Sequence, residues 1–464
     1  MLSLPPLVRN PRHWLLGPAY HARRAPLVWI PKWIEEHGDI FTIKSSLGRA
    51  VVVARPEWAK HVLVDAYARY QSKSQAYGVL RILFGNGLVT SEGEFWRGQR
   101  KLAQPAFHRR RLDALFAMMV ERANDCARSL NEAALAGAAV DVGPAFSHLT
   151  LDIISRAMFS TDVEGAAADV SRHIATLNEY ALRLLRNPWL FLLPRTFPTP
   201  FTSGQFHALK SLNEIVFGII KARRHQPDRH DDLLAMLLSA CDEETGRGMT
   251  DEQLRDEVMT VFVAGHETTA NAMTWLTYLV SQHPEVEEKL LAESDAQCPA
   301  EGLTSANIGR FAYARQVIEE SLRIYPSIWS IGRRCGEDDE VGGCHIPRGM
   351  NVVVPIFHFH WSERYWKDAQ RFDPERFGPE RRPAPDAMTY LPFGAGPRSC
   401  IGNHFALQEL AIMTATFYRH FAFRLAPGFT VEPDPLITLR PKHGMRMRIV
   451  ARKTETLANA PGPA

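Results

Sequence analysis

Cysteine is scarce in this chain, with six residues among 464, at positions 126, 241, 298, 335, 344 and 400, and neither a C-x-x-C pair nor zinc-type spacing among them. That sparseness excludes a disulfide scaffold and suits a reducing compartment, so a cytoplasmic protein is expected. An excess of one charge is lacking as well: 54 basic against 51 acidic side chains leave +3, too little for a nucleic-acid or membrane-surface field. No nucleic-acid partner is expected. Nowhere do about 18 apolar residues follow one another, which excludes a membrane-spanning helix. Between Met1 and Tyr20, Pro5, Pro6, Arg9 and Arg12 break up short apolar runs, so a signal-peptide core is missing too. Internal repeats are absent.

What is present is a globular balance of 45% hydrophobic and 23% charged residues, enough to bury a large core. The length exceeds the roughly 250–300 residues at which single cores usually stop growing, so two domains or one large helical body are open. From Pro26 to Val64 the pattern is helix, two strands (Ile40 to Lys44, Val51 to Ala54) and a second helix from Pro56. Between Phe95 and Glu320 apolar residues recur at three and four, as in Leu112 to Leu135, Ala145 to Phe159 and Ser211 to Arg224, which predicts a helical body. Asn187 to Pro200 interrupts it with four prolines among large apolar residues and reads as an apolar connection able to form a lid. After Pro326 come short β-like runs such as Asn351 to Pro355, then a β-rich tail from Phe423 to Arg452. The fold class is mainly α with smaller β-sheets (α+β).

One loop carries specific chemistry. Phe393-Gly-Ala-Gly-Pro-Arg398-Ser-Cys400-Ile-Gly402 runs straight into a helix-like segment starting near Asn403. A thiolate ligand needs its negative charge stabilised, and backbone N–H groups at a helix start do this. Gly394, Gly396 and Gly402 permit tight turns and a close approach to a flat ring, and Arg398 suits a carboxylate. A free cysteine is most often a small buried hydrophobe, and the other five are read that way. For Cys400 the five specified residues within ten positions outweigh that reading. This loop resembles the haem-binding loop of the cytochrome P450 family, F-x-x-G-x-R-x-C-x-G.

Other motifs stand in the order that the resemblance requires. Glu320-Ser-Leu-Arg323 places an acid and a base on one helix face, by default a surface ion pair, and Phe372-Asp-Pro-Glu-Arg376-Phe377 adds an arginine. Together they are similar to the family's structural triad of one Glu and two Arg that braces the haem loop. Trp96 and Arg100 match W-x-x-x-R, whose indole and guanidinium share a helix face and can both donate to haem propionates. Arg333 resembles a further propionate partner, and Arg334 fits the register less well. The resemblance implies a P450 fold in one haem domain over residues 1–454, with a disordered tail at 455–464.

A long helix from Asp251 to about Gln282 contains Ala264-Gly-His-Glu267-Thr268-Thr269. Gly and Thr are locally unfavourable inside a helix, and such conflicts tend to mark function. Thr268 lies four residues after Ala264, so its hydroxyl is expected to bond the Ala264 carbonyl and open the ladder into a groove for dioxygen and water. By resemblance Glu267 and Thr268 form the acid–alcohol pair that delivers protons there. A zinc protease is excluded, because a second His at position 270 would be needed and alanine is present. His358-Phe-His360 falls in a predicted strand and lacks further ligands, so packing or hydrogen bonding is the favoured role.

The pocket candidates taken from the family's positions are Leu83 and Val89 in the apolar connection Tyr77 to Val89, Ala264 with Thr268, Ile328, Trp329 and Ile331, and Leu436 with Ile437. Their apolar character implies a hydrophobic substrate, such as a fatty acid, terpenoid or polyketide. The resemblance implies haem b, dioxygen as co-substrate, and electrons ultimately from NAD(P)H. No dinucleotide or flavin pattern follows Cys400, so a ferredoxin with its reductase, or a flavodoxin, is the expected donor. Arg97, Lys101 and Arg109 to Arg111 would receive an acidic partner, although a solvated helix face is an equal reading. His360-Trp-Ser-Glu departs from the His-Arg-Asp-Pro of many family members. A soluble bacterial monooxygenase is the expectation. Desaturation or ring coupling is an alternative outcome, and a haem sensor or electron carrier is disfavoured by Glu267-Thr268.

Overall fold

The computed structural model describes residues 3–8, 25–45, 48–73, 77–159, short helical pieces between 169 and 184, and 203–225, 232–242, 246–298, 302–384 and 387–452. The apolar connection at 187–200 and the tail at 455–464 lie outside the described residues.

The α+β opening consists of α1 (Pro26–His37), β1 (Ile40–Ser45), β2 (Gly48–Val53), α2 (Pro56–Lys60) and a π-helical turn at His61–Asp65. After β3 (Ser72–Lys73), the stretch expected as a connection forms a helix, α3 (Tyr77–Phe84), because its apolar residues recur at helical spacing. The helical body then runs through α4 (Gly93–Ala103), α5 (Arg109–Ala114), α6 (Phe116–Leu135), β4 (Ala139–Asp141), α7 (Val142–Phe159), α8 (Ser203–Arg224) and α9 (Leu233–Ser239).

Its axis is α10 (Asp251–Ser281), a helix of 31 residues. Thr250 starts it with a capping box: its Oγ1 accepts from Gln253 N at 3.2 Å, and Gln253 Oε1 accepts from Thr250 N at 2.8 Å. Then follow α11 (Pro284–Gln297), α12 (Ala312–Ile324), β5 (Ile331–Arg334), β6 (Asp339–Val341), β7 (Cys344–Ile346), β8 (Asn351–Val354), α13 (Ile356–Trp361), α14 (Asn403–His420), β9 (Phe421–Leu425), β10 (Pro433–Pro435), β11 (Leu439–Pro441) and β12 (Arg446–Ala451).

The main sheet has the order β1-β2-β8-β5-β3, with β2 and β8 parallel and its other neighbours antiparallel. Along β2 the side chains alternate between two apolar clusters: Val51 and Val53 face one, Val52 the other. A sheet buried on both faces needs this apolar run, and β5, which carries Arg333, is held in it between β8 and β3. The segment His358 to His360 is helical in α13, not extended, because apolar residues on every side of it are buried and alternation has nothing to select.

Candidate active site: a thiol loop over a long helix

The cysteine loop is a tight, backbone-bonded turn. Cys400 N donates to Phe393 O at 2.9 Å, Gly394 N to Leu391 O at 3.1 Å, and Ser399 N to Gly396 O at 3.0 Å. Gly394 and Gly396 both sit at φ +71°, which side chains rarely adopt, and a Cβ on Gly396 would lie 2.0 Å from Leu63 O of the π-helical turn. Gly402 is different: its φ of −92° is ordinary, and no protein atom lies within 4 Å of where its Cβ would be. Its freedom serves an open side of the loop, not a turn. Burial pushes the Cys400 thiol up, against the Gly402 backbone N–H and the Arg100 charge, which favour the thiolate. Cys400 nevertheless keeps exposed surface, so its open side faces a cleft.

The scaffold beneath the loop is dry. Glu320 and Arg323 are fully buried, not a surface pair. Arg323 donates from Nε and Nη2 to Glu320 at 2.6 and 2.8 Å, from Nη1 to His360 O and Ala369 O at 2.6 and 2.8 Å, and from Nη2 to Arg371 O at 3.2 Å. All five guanidinium hydrogens are used. Arg376 Nε donates to Glu320 Oε1 at 3.3 Å, and Asp373 N joins the same oxygen at 2.9 Å. His360 carries this frame to the cysteine loop: its Nε2 accepts from Leu391 N at 2.8 Å, so Nδ1 carries the proton toward Arg323 O at 3.1 Å. Burial and then the Arg323 charge push the His360 pKa down to about 3, which keeps the ring neutral. Sequence reasoning gave the residue a packing or hydrogen-bonding role without its partners.

Three arginines gather above this frame. Arg398 donates from Nη2 to Ser91 O at 3.0 Å and lies 4.3 Å over the Trp96 ring, while its Nε and Nη1 are buried without a partner among the described residues. Burial, and next the charge of Arg333, push its pKa down to about 10. Burial likewise lowers the pKa of Arg333, whose Nη1 donates to its neighbour Gly332 O at 3.1 Å. Two cations that repel each other, Arg333 buried and Arg398 half-buried with enclosed donors to spare, suit carboxylates. Arg100 makes a contact that sequence reasoning did not name: its Nη1 donates to Ser399 O at 3.0 Å, so it grips the cysteine loop. Trp96 serves as the platform under Arg398.

On α10, Ala264 is exposed in the middle of a helix that is otherwise largely buried, so a cleft reaches it. Thr268 Oγ1 donates to Ala264 O at 2.7 Å, the bond expected from the spacing. The helix runs continuously from Asp251 to Ser281 through this point, and the Ala264 carbonyl has a lone pair free to take the hydroxyl. Gly265 also has a packing cause, since a Cβ there would lie 3.3 Å from Ile154 of α7. Glu267 Oε1 accepts from Thr438 Oγ1 at 2.7 Å, and Asn271 Nδ2 donates to the same hydroxyl at 3.2 Å. His266 turns away: buried, with Nδ1 donating to Phe262 O at 2.7 Å, it is held neutral by its burial.

The expected pocket residues divide. Val89 and Ile437 pack at the edge of the main core, Ile328 borders the cluster under the sheet, and Ile331 approaches Gly394. The Leu436 carbonyl accepts from Trp329 Nε1 at 2.9 Å, and the Trp329 ring packs near Phe357 in the N-terminal cluster. Trp329 is thus half-buried, with its indole N–H tied to the backbone of Leu436, another of the pocket candidates. The side chain of Leu83 lies outside the described residues. Ser91, Thr438 and Ser327, whose Oγ donates to Thr268 O at 2.8 Å, were missed, and nothing in the sequence marks them, since each acts across a gap of at least 59 positions.

The cytochrome P450 family profile matches residues 6–445. This chain belongs to the cytochrome P450 family. It is 33% identical over 417 residues, 90% of this chain and 89% of the other, to cyclooctat-9-en-7-ol 5-monooxygenase of Streptomyces melanosporofaciens. To pentalenene oxygenase of Streptomyces avermitilis it is 30% identical over 439 residues, covering 94% and 96%. The crystal structure of the cytochrome P450DA heme domain superposes with a TM-score of 0.84 at 25% identity, covering 99% of this chain and 100% of that one. The chain is a P450 monooxygenase of α+β P450 fold, and its family uses haem and dioxygen. No described helix is long and apolar enough to cross a membrane.

The residues fit the prosthetic group. Cys400 supplies the thiol, the spare donors of Arg398 and the buried Arg333 await carboxylates, and the open side of Gly402 admits a flat ring. Haem bound here supplies dioxygen activation, which an electron-rich thiolate ligand favours.

Proposed function

We propose that this P450 inserts one oxygen atom of O2 into a hydrophobic small molecule of terpenoid type, with haem b held through Cys400 and anchored at its propionates by Arg398 and Arg333. The observation that carries the reading is the arginine pair, Arg333 buried and Arg398 half-buried, with Arg398 Nε and Nη1 enclosed and unpartnered among the described residues only two positions from Cys400. Thr268 holds a hydroxyl at the Ala264 carbonyl, and Glu267, tethered by Thr438, passes protons to that point from the helix's next turn. Among fatty acid, terpenoid and polyketide, the names of the two Streptomyces relatives favour a terpenoid.

Electrons come from a separate ferredoxin or flavodoxin system, ultimately from NAD(P)H, in the cytoplasm. The basic surface proposed for that partner is partly neutralised: Arg97 pairs with Glu94 at 2.9 Å and Lys101 with Asp242 at 3.1 Å, while Arg111 is exposed. The side chains of Arg109 and Arg110 lie outside the described residues.

The test is the carbon monoxide spectrum of the dithionite-reduced protein beside Cys400→Ser. The red-shifted Soret band of thiolate ligation, lost in the variant, is the expected result; its absence from intact protein overturns the reading. Pentalenene-like hydrocarbons and their alcohols are then expected to perturb the haem spectrum, and a response only to charged, hydrophilic compounds would reject the substrate class.

A further inference from the structure

Between α3 and α4 the chain crosses the N-terminal half of α10 with its backbone pressed against the helix. A Cβ on Gly85 would lie 2.0 Å from Asp256 Oδ1, and one on Gly87 would lie 2.1 Å from Thr260 Oγ1 and 2.5 Å from Asp256 O. Two adjacent carboxylates hold this loop by its amides: Asp256 Oδ2 accepts from Asn86 N at 2.6 Å and Glu257 Oε2 from Leu88 N at 3.1 Å. Within the loop, Thr90 Oγ1 donates to Gly85 O at 2.6 Å and Ser91 N to Gly87 O at 2.8 Å, so it moves as a unit. Its far end is the Ser91 carbonyl, the only acceptor of Arg398 among the described residues. At the near end Arg255 Nη1 donates to Asp256 Oδ1 at 2.7 Å and Nε to Asn213 Oδ1 on α8 at 2.8 Å.

We infer that Asp256 and Glu257 are positioning residues for Arg398: they fix the 85–91 loop, whose Ser91 carbonyl aims the guanidinium at the haem edge. This rests on the propionate role given to Arg398 above. Neither carboxylate touches haem. They work as the outer partners of a ligand do, by holding the group that holds it. Through Arg255 and Asn213 the same point is tied to α8, so a displacement of that helix is felt at Arg398.

The test is a double-mutant cycle in the holoenzyme, read as the rate of haem transfer to excess apomyoglobin. Arg398→Gln and Asp256→Ala are each expected to accelerate haem loss about tenfold, the size typical of outer-partner changes. If Asp256 acts through Arg398, the double variant loses haem no faster than R398Q alone. Asp256→Asn, which keeps an acceptor for Asn86 N, is expected to restore the rate to within about twofold of wild type. Amide exchange at Asn86 and Leu88, and the propionate bending bands in resonance Raman, are expected to change in D256A and not in D256N. Multiplicative effects in the double variant, or unchanged propionate bands in D256A, overturn the inference. An R398Q variant that holds haem as tightly as wild type rejects the propionate role itself and the inference with it. Should D256A fail to fold, Glu257→Ala, which removes only the Leu88 bond, enters the cycle under the same criteria.

Discussion

Arg323→Lys is the change whose consequence the structure sets most firmly. Arg323 has no exposed surface and directs five hydrogen bonds at Glu320, His360 O, Ala369 O and Arg371 O. Lysine keeps the charge but has three donors on a single nitrogen, so at least two acceptors lose their partner. Each buried acceptor left unpaired costs about 1–3 kcal/mol, which gives roughly 2–6 kcal/mol for the substitution. Natural domains are stable by about 5–15 kcal/mol, so R323K is expected to lose a substantial share of the wild-type margin, on the order of 40% at the centre of both ranges. The loss should be local first, since the released carbonyls of His360 and Ala369 flank the segment that His360 ties to Leu391 ahead of the cysteine loop. Urea unfolding followed by circular dichroism, with haem content measured by absorbance on the same samples, tests this. Stability within about 1 kcal/mol of wild type together with full haem content would refute it, because the five bonds would then be replaceable by a point charge.

Thr268→Ala is expected to leave reductant consumption within about twofold while product falls at least tenfold and hydrogen peroxide rises, as loss of a proton-delivery group requires; equal falls in both would assign Thr268 to packing. Thr438→Val frees Glu267 Oε1 and is expected to give a smaller loss of coupling, about three- to tenfold, with the same peroxide signature. Gly396→Ala places a Cβ against Leu63 O at a positive φ and is expected to cost at least about 2 kcal/mol and most of the haem. Burial raises the Glu257 pKa to about 8, so the folded state holds a proton that the unfolded chain releases near 4.5. The acid is then a liability that is absent below pH 4.5, grows as pH rises to about 8 and levels off beyond; Glu257→Gln should therefore gain stability on wild type across that window, at up to about 1.4 kcal/mol per pH unit. A parallel pH dependence of the two proteins would reject the shift.

What could be read from the sequence was whatever the chain states locally. Apolar spacing gave the helices, including a long one from Asp251, and one loop of ten residues gave Cys400 its environment. Turn glycines were legible as a class; which of them answers a turn was not, since Gly396 has a positive φ and Gly402 does not. The misreadings share a cause. His358 to His360 has strand-like alternation, yet α13 is buried on all sides, so periodicity had no face to report. Trp329 is a second place where periodicity is silent, since the partner of its indole is the Leu436 backbone carbonyl. Backbone carbonyls are the acceptors for Trp329, Arg398, Arg100 and three of the five Arg323 bonds. Every residue has one, so no side chain in the sequence announces it.

The same bookkeeping of donors separates two kinds of arginine in this protein. Arg323 has every donor met by protein, which makes it a structural member whose removal is felt in folding. Arg398, equally removed from bulk solvent on its Nε and Nη1, has one acceptor among the described residues, lies over Trp96 and is repelled by Arg333. An unsatisfied buried cation destabilises the ligand-free fold and returns that energy when an anion arrives, so its substitution should register in haem retention more than in the stability of the ligand-free chain. Measuring both quantities for R323K and R398Q distinguishes the roles: the first variant should lose stability with or without haem, the second only with it. If R398Q destabilises the haem-free protein as much as the holoprotein, its spare donors are not reserved for a ligand.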